Sequence, residues 1–155
     1  MNNLKKTLTV RLAQGIGNQL FMYANAYSLS KNYNYQLLID DTSGYYKKKD
    51  QLRTYELNNF LIEENIASAE LKFDTHLKNL KRKILIKLDK FRIKRSFIIE
   101  NKNFYKKTIY KKINLTNYPN KLFLEGHFES EKYFYEYKDD LKKIFKVKNN
   151  LLENN

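Results

Sequence analysis

Residues 9–24 read Thr-Val-Arg-Leu-Ala-Gln-Gly-Ile-Gly-Asn-Gln-Leu-Phe-Met-Tyr-Ala, and the fold is decided in this stretch. Leu8, Val10 and Leu12 recur at every second position, as in a buried strand over 7–12. Gly15 and Gly17 then turn the chain. Leu20, Phe21, Ala24, Ala26 and Tyr27 give a broad apolar face at helical spacing, predicting a helix over 18–31 with Asn18 at its N-cap. Leu37-Leu38-Ile39-Asp40 predicts a second strand over 36–40. A strand–helix–strand unit of this size closes right-handed with its strands parallel. The fold class expected is therefore α/β, a Rossmann-like parallel sheet with flanking helices. A strand that meets a helix through Gly-x-Gly also presents backbone N–H groups to an anion or a sugar.

Outward from this unit the signals are weaker. Residues 45–51 read as a polar loop containing three consecutive lysines. Leu57, Phe60 and Ile62 are core candidates, and residues 63–75 suggest a short helix. Leu77, Leu80, Ile84, Leu88 and Phe91 recur at steps of three and four among lysines and arginines, which predicts a basic amphipathic helix. Residues 97–118 are rich in Lys and Tyr and carry no clear period. Pro119, the only proline, precedes a short strand at 121–125. Gly126 then leads to a helix over 130–146, with Phe134, Tyr137, Leu141, Ile144 and Phe145 on one face. The expected organisation is one domain over 1–148, with a basic helical insertion at about 76–112, and a frayed polar tail at 149–155.

Composition narrows the function classes. The 155 residues are 42% hydrophobic and include 13 Tyr and 10 Phe, enough for one domain with a real core. There is no cysteine, hence no disulfide framework, thiolate metal site or thiol nucleophile. His76 and His127 are the only imidazoles, neither amid a cluster of carboxylates, and no metal site is expected. The opening Met-Asn-Asn-Leu-Lys-Lys lacks an apolar h-region, and no window approaches ~18–20 uninterrupted apolar residues. A cytoplasmic protein is expected.

The net charge of +13 is concentrated. Residues 76–112 hold 14 Lys and Arg against Asp89 and Glu100, a balance of +12. The helix within this segment has three readings: a solvated surface face, a helix lying on an anionic membrane surface through residues 77–95, or a nucleic-acid contact using the interleaved Phe91, Phe97, Phe104, Tyr105 and Tyr110. No nucleic-acid-binding motif accompanies those aromatics, so that reading ranks last.

Gly15-Ile-Gly-Asn-Gln-Leu-Phe-Met-Tyr-Ala24 resembles the opening motif of the α-1,2-fucosyltransferases of glycosyltransferase family 11, usually Gly-Gly-Leu-Gly-Asn-Gln-(Leu/Met)-Phe-Gln-Tyr-Ala. Gln14 stands at the first glycine and Met22 at the usual glutamine. Three further stretches follow in family order. Leu37–Asp40 resembles the second strand and its terminal aspartate. Arg53-Thr-Tyr-Glu-Leu-Asn-Asn-Phe60 resembles Arg-x-Tyr-Glu-Leu-x-x-Phe. Leu124-Glu-Gly-His-Phe-Glu-Ser-Glu-Lys-Tyr-Phe134 resembles Leu-x-Gly-Tyr-(Trp/Phe)-Gln-Ser-Glu-Lys-Tyr-Phe, with His127 for tyrosine and Glu129 for glutamine.

The resemblance implies the N-terminal half of a two-domain glycosyltransferase of GT-B type. The implied reaction is transfer of fucose from GDP-fucose to the 2-hydroxyl of a galactoside in bacterial-type glycan synthesis, without a metal or further cofactor. It places Gly15, Gly17, Asn18 and Gln19 as substrate-binding residues and Glu129, Ser130 and Tyr133 in the cleft, and it leaves the catalytic base unassigned. Family members carry His-x-Arg-Arg-Gly-Asp-Tyr in the donor-binding half, where arginines hold the departing diphosphate. The five arginines here, Arg11, Arg53, Arg82, Arg92 and Arg95, include no such pair. A truncated form is therefore expected, completed by a separate C-terminal half and located in the cytoplasm, peripheral at the inner face of the membrane. The alternative is a catalytically silent fragment or a basic module that docks on a membrane or a partner.

Individual residues carry rival readings. Gly-x-Gly with Asp40 downstream also fits a dinucleotide fingerprint, but Leu20 occupies the third glycine position, where close helix–strand packing needs glycine. Glu129 could act as a base or complement a helix dipole. His127 reads as a packed or surface histidine, and Glu56 as a structural partner of Arg53.

Overall fold

The computed structural model describes residues 5–46, 53–100, 110–116 and 118–149. Four strands form one parallel sheet: β1 (Thr7–Arg11), β2 (Gln36–Asp40), β3 (Phe97–Ile99) and β4 (Lys121–Glu125), in the order β2-β1-β4-β3. Leu8 pairs with Leu37 and Leu122, and Val10 with Ile39 and Leu124, so one sheet face carries a continuous apolar block. Helix α1 (Ile16–Tyr33) covers that block with Met22, Tyr23, Ala24, Ala26 and Leu29. The architecture is the expected α/β sheet.

Helix α1 begins at Ile16, so its N-cap is Gly15 and not Asn18, which lies inside the first turn. Its far end closes on Asn34, whose left-handed φ of 54° suits a helix C-cap. The 63–75 segment is not a helix. Ile39 donates its N–H to Asn65 O at 2.8 Å and accepts from Ala67 N–H at 2.8 Å, while Ile66 bridges to Ile39 in parallel. The outer edge of β2 otherwise presents unpaired backbone groups, and satisfying them outweighs the local helix preference of the Glu/Ala-rich run.

The basic segment also differs from a helical insertion. It supplies α2 (His76–Asp89), opened by Thr75 Oγ1 accepting Lys78 N–H at 3.3 Å, and then the edge strand β3. Asp89 joins the two by accepting N–H groups from Ser96 (2.8 Å) and Phe97 (3.0 Å). The sheet face opposite α1 packs Phe97 on Phe123, centroids 5.0 Å apart, with Phe73 against both. After β4, two 3₁₀ turns, Glu131–Tyr133 and Tyr135–Tyr137, precede α3 (Lys138–Ile144), where one helix was expected. Phe134 between them leaves the helical region, at φ −139° and ψ 16°, and packs its ring 5.9 Å from Phe21. Leu141 is buried, and Phe134, Tyr137, Ile144 and Phe145 pack on the core around it, as their spacing indicated. The 149–155 tail lies outside the described residues beyond Asn149. No helix among the described residues is long and apolar enough to cross a membrane.

Candidate functional site

The carboxyl end of a parallel strand feeding a helix is where open α/β sheets place ligands. At that point, after β1, the chain forms an open depression of about 740 Å³. Its floor is Gly15, Ile16, Gly17 and Asn18, with Phe21 beside them; Arg53, Glu56 and Glu129 form the walls. The first-turn N–H groups of Ile16, Gly17 and Asn18 have no acceptor within the helix, no side chain caps Gly15, and the first turn holds no acidic residue. The positive end of the helix dipole is therefore open toward the depression.

Each wall is held by a clamp. Gln19 is fully buried, with its amide spent on backbone: Nε2 donates to Gln14 O (3.0 Å) and Thr54 O (2.8 Å), and Oε1 accepts Glu56 N–H (3.0 Å). Gln19 is thus not available to substrate; it fixes the 53–56 segment against the glycine turn. Arg53 lies over this turn, its Nη1 donating to Gln14 Oε1 at 3.3 Å. No ion pair joins Arg53 to Glu56 among the described residues, so the two serve as neighbouring walls and not as a structural couple.

The second clamp is Glu100, whose carboxylate accepts N–H groups from His127 (2.7 Å) and Phe128 (3.1 Å). It requires Gly126 beside it: that residue has φ +153°, and a Cβ there would lie 2.3 Å from Glu100 Cβ. This turn sends Glu129 to the depression, where its Oε1 lies 3.1 Å from His127 Nδ1. Ser130 Oγ accepts Lys132 N–H at 3.4 Å and so caps the following turn. Tyr133 does not reach this depression; it packs on Tyr110 and Phe128 and lines two others.

Gln14 has a left-handed φ of 70°, the region glycine occupies without cost. Asp40 is buried, and its carboxylate accepts Ser43 N–H (3.0 Å) and Thr42 N–H (3.3 Å), which leaves it unsuited to a ribose. Beyond the depression, Arg11 Nη1 lies 3.8 Å from Glu125, which Arg82 of α2 also engages at 2.5 Å. Burial lowers the Arg11 pKa, and Glu125 counteracts this. Among the described residues, no three His, Asp or Glu side chains group as metal ligands would.

Of the seven residues the motifs name, Gly15, Gly17, Asn18 and Glu129 line this depression, and Gln19, Ser130 and Tyr133 do not. The recruitment of Arg53, Glu56 and Phe21 was not read from the sequence, although all three sit in quoted motifs. Chemically, the depression offers helix N–H groups, an amide and a guanidinium facing two carboxylates, with an aromatic ring at the edge. Such a set suits a polyhydroxylated ligand. Compared with protein-family models, curated protein sequences and solved structures, the chain matches none.

Proposed function

We propose that this chain is a fucosyltransferase-like protein that provides one wall of the cleft of a two-domain glycosyltransferase of GT-B type, with a galactoside as acceptor and GDP-fucose as donor. The observation that carries the reading is a convergence. Three segments that resemble family 11 motifs, at residues 15–21, 53–56 and 129, lie far apart in sequence and line one depression. Packing alone does not require this: Gly17 is glycine although a Cβ there would meet nothing within 4 Å. Open space over a glycine backbone is what the close approach of a ligand needs.

In this reading Asn18 and Arg53 hold sugar hydroxyls, Phe21 takes the apolar face of a pyranose, and Glu56 or Glu129 is placed to accept a proton from a hydroxyl. The diphosphate of the donor needs cations that the 155 residues do not group as an Arg-Arg pair, so its site belongs to a partner domain. The test is an amide-resolved NMR titration with lactose or N-acetyllactosamine. Shifts concentrated at residues 15–18, 53–56 and 129 are expected. No shift up to roughly 10 mM ligand, a concentration at which even a millimolar complex forms, would overturn the reading.

A further inference from the structure

Helix α2 is built inside out. Its inward side carries polar anchors: Asn79 and Asp89 are buried, Arg82 bonds Asn79 Oδ1 and Glu125, and Leu85 and Ile86 are half-buried beside them. Its apolar stripe points away from the protein. Leu77, Leu80, Ile84, Leu88 and Phe91 are between 48% and 89% exposed, and Ile93 just beyond is fully so. At about 100° per residue, the four helical members of the stripe fall within an arc of about 80°. Lys87 and Lys81 flank that arc about 20° outside either border, with Lys83 and Lys90 farther round on the Lys87 side.

A soluble monomer rarely leaves such a contiguous apolar row uncovered. The charges around it identify what covers it. Residues 76–95 carry nine Lys and Arg against one carboxylate, Asp89, and that carboxylate is turned inward on the N–H groups of Ser96 and Phe97. A second copy of the chain would bring the same cations face to face. An anionic lipid surface takes both parts at once, with acyl chains against the leucines and headgroups against lysines that reach outward along their apolar stems. We infer that α2 is a membrane-surface anchor that lies in the headgroup plane of an anionic bilayer, burying Leu80, Ile84 and Leu88. This inference does not depend on the fucosyltransferase reading.

The experiment is cosedimentation of the full chain with vesicles of 70% phosphatidylcholine and 30% phosphatidylserine, against vesicles of phosphatidylcholine alone. Binding to the anionic vesicles is expected at 0.1 M salt, with marked loss at 1 M, since screening shortens the Debye length from about 10 Å to about 3 Å. Because Leu80 and Ile84 are exposed, the double variant Leu80→Glu, Ile84→Glu keeps the fold, checked by circular dichroism, and loses about tenfold or more of the binding. The chain has no tryptophan, so Phe91→Trp gives a single reporter whose emission should shift to the blue on vesicle addition. Absence of binding to anionic vesicles overturns the inference. So does binding that the double glutamate variant leaves unchanged, or a Phe91→Trp emission that stays that of a solvated indole. A concentration-dependent dimer that the double variant dissolves would assign the stripe to self-association instead.

Discussion

Substituting Gly17 by alanine should raise stability and lower ligand affinity together. Gly17 lies in the first turn of α1, its φ is not in the left-handed region, and an added Cβ finds no heavy atom within 4 Å. The fold therefore gains from alanine without a clash. Replacing glycine where the native backbone suits alanine stabilises by about 0.4–1 kcal/mol, chiefly by removing freedom from the unfolded chain. For a chain of this size that is a rise in Tm of about 1–4 °C. Gly17 lines the depression where we place the sugar, so the same methyl narrows the space left for it. Galactoside affinity should fall about tenfold or more, which corresponds to about 1.4 kcal/mol. The assays are thermal melting by circular dichroism and the NMR titration on the same variant. A lower Tm would show that the glycine serves the fold. A higher Tm with unchanged affinity would show that no ligand approaches Gly17.

Three other outcomes follow from the packing. Gln19→Leu keeps the volume but orphans Gln14 O, Thr54 O and Glu56 N–H, and at ~1 kcal/mol for each lost bond the urea midpoint should report about 3 kcal/mol of lost stability. Gly44→Ala would set a Cβ 1.7 Å from Leu12 O, so the loop after β2 must move and thermal melting should show a loss of about 3 kcal/mol. Burial raises the phenol pKa of Tyr23 and Tyr45, and burial followed by the bond to Glu64 raises that of Tyr55, all from an ordinary 10.0. The fold thus favours the protonated phenols: their contribution is intact below about pH 10 and is lost above it as the unfolded chain gives up protons, so urea midpoints should fall steeply in that alkaline range.

The central βαβ unit and β4 were legible because apolar runs ended at glycines or followed the proline, local signals that the tertiary structure preserves. Strand β3 was hidden: Phe97-Ile98-Ile99 is too short for a period and sits in a basic run. The false helix at 63–75 shows a long-range demand overriding propensity, because the free edge of β2 takes 65–67 as its neighbour. For α2 the period fixed the stripe but not its direction, and the polar anchors at Asn79, Arg82 and Asp89 hold the opposite side of the helix inward. At the site, the glycine turn and Glu129 could be found because their motifs are contiguous. Gln19 looked like a sugar ligand from its amide alone; its burial beneath Thr54 and Glu56 depends on residues 35 and 37 positions away.

The most direct test of the fucosyltransferase reading is transfer itself. The chain is joined to a C-terminal half bearing His-x-Arg-Arg-Gly-Asp-Tyr, and fucosylated product is measured from GDP-fucose and N-acetyllactosamine in a preparation that is folded and binds GDP. Product above the blank is predicted, falling about tenfold with Asn18→Ser while Tm barely moves, because Asn18 is not the helix cap. A folded, GDP-binding preparation that forms no product, or product that Asn18→Ser leaves unchanged, would contradict the placement of this depression in a fucosyltransferase cleft.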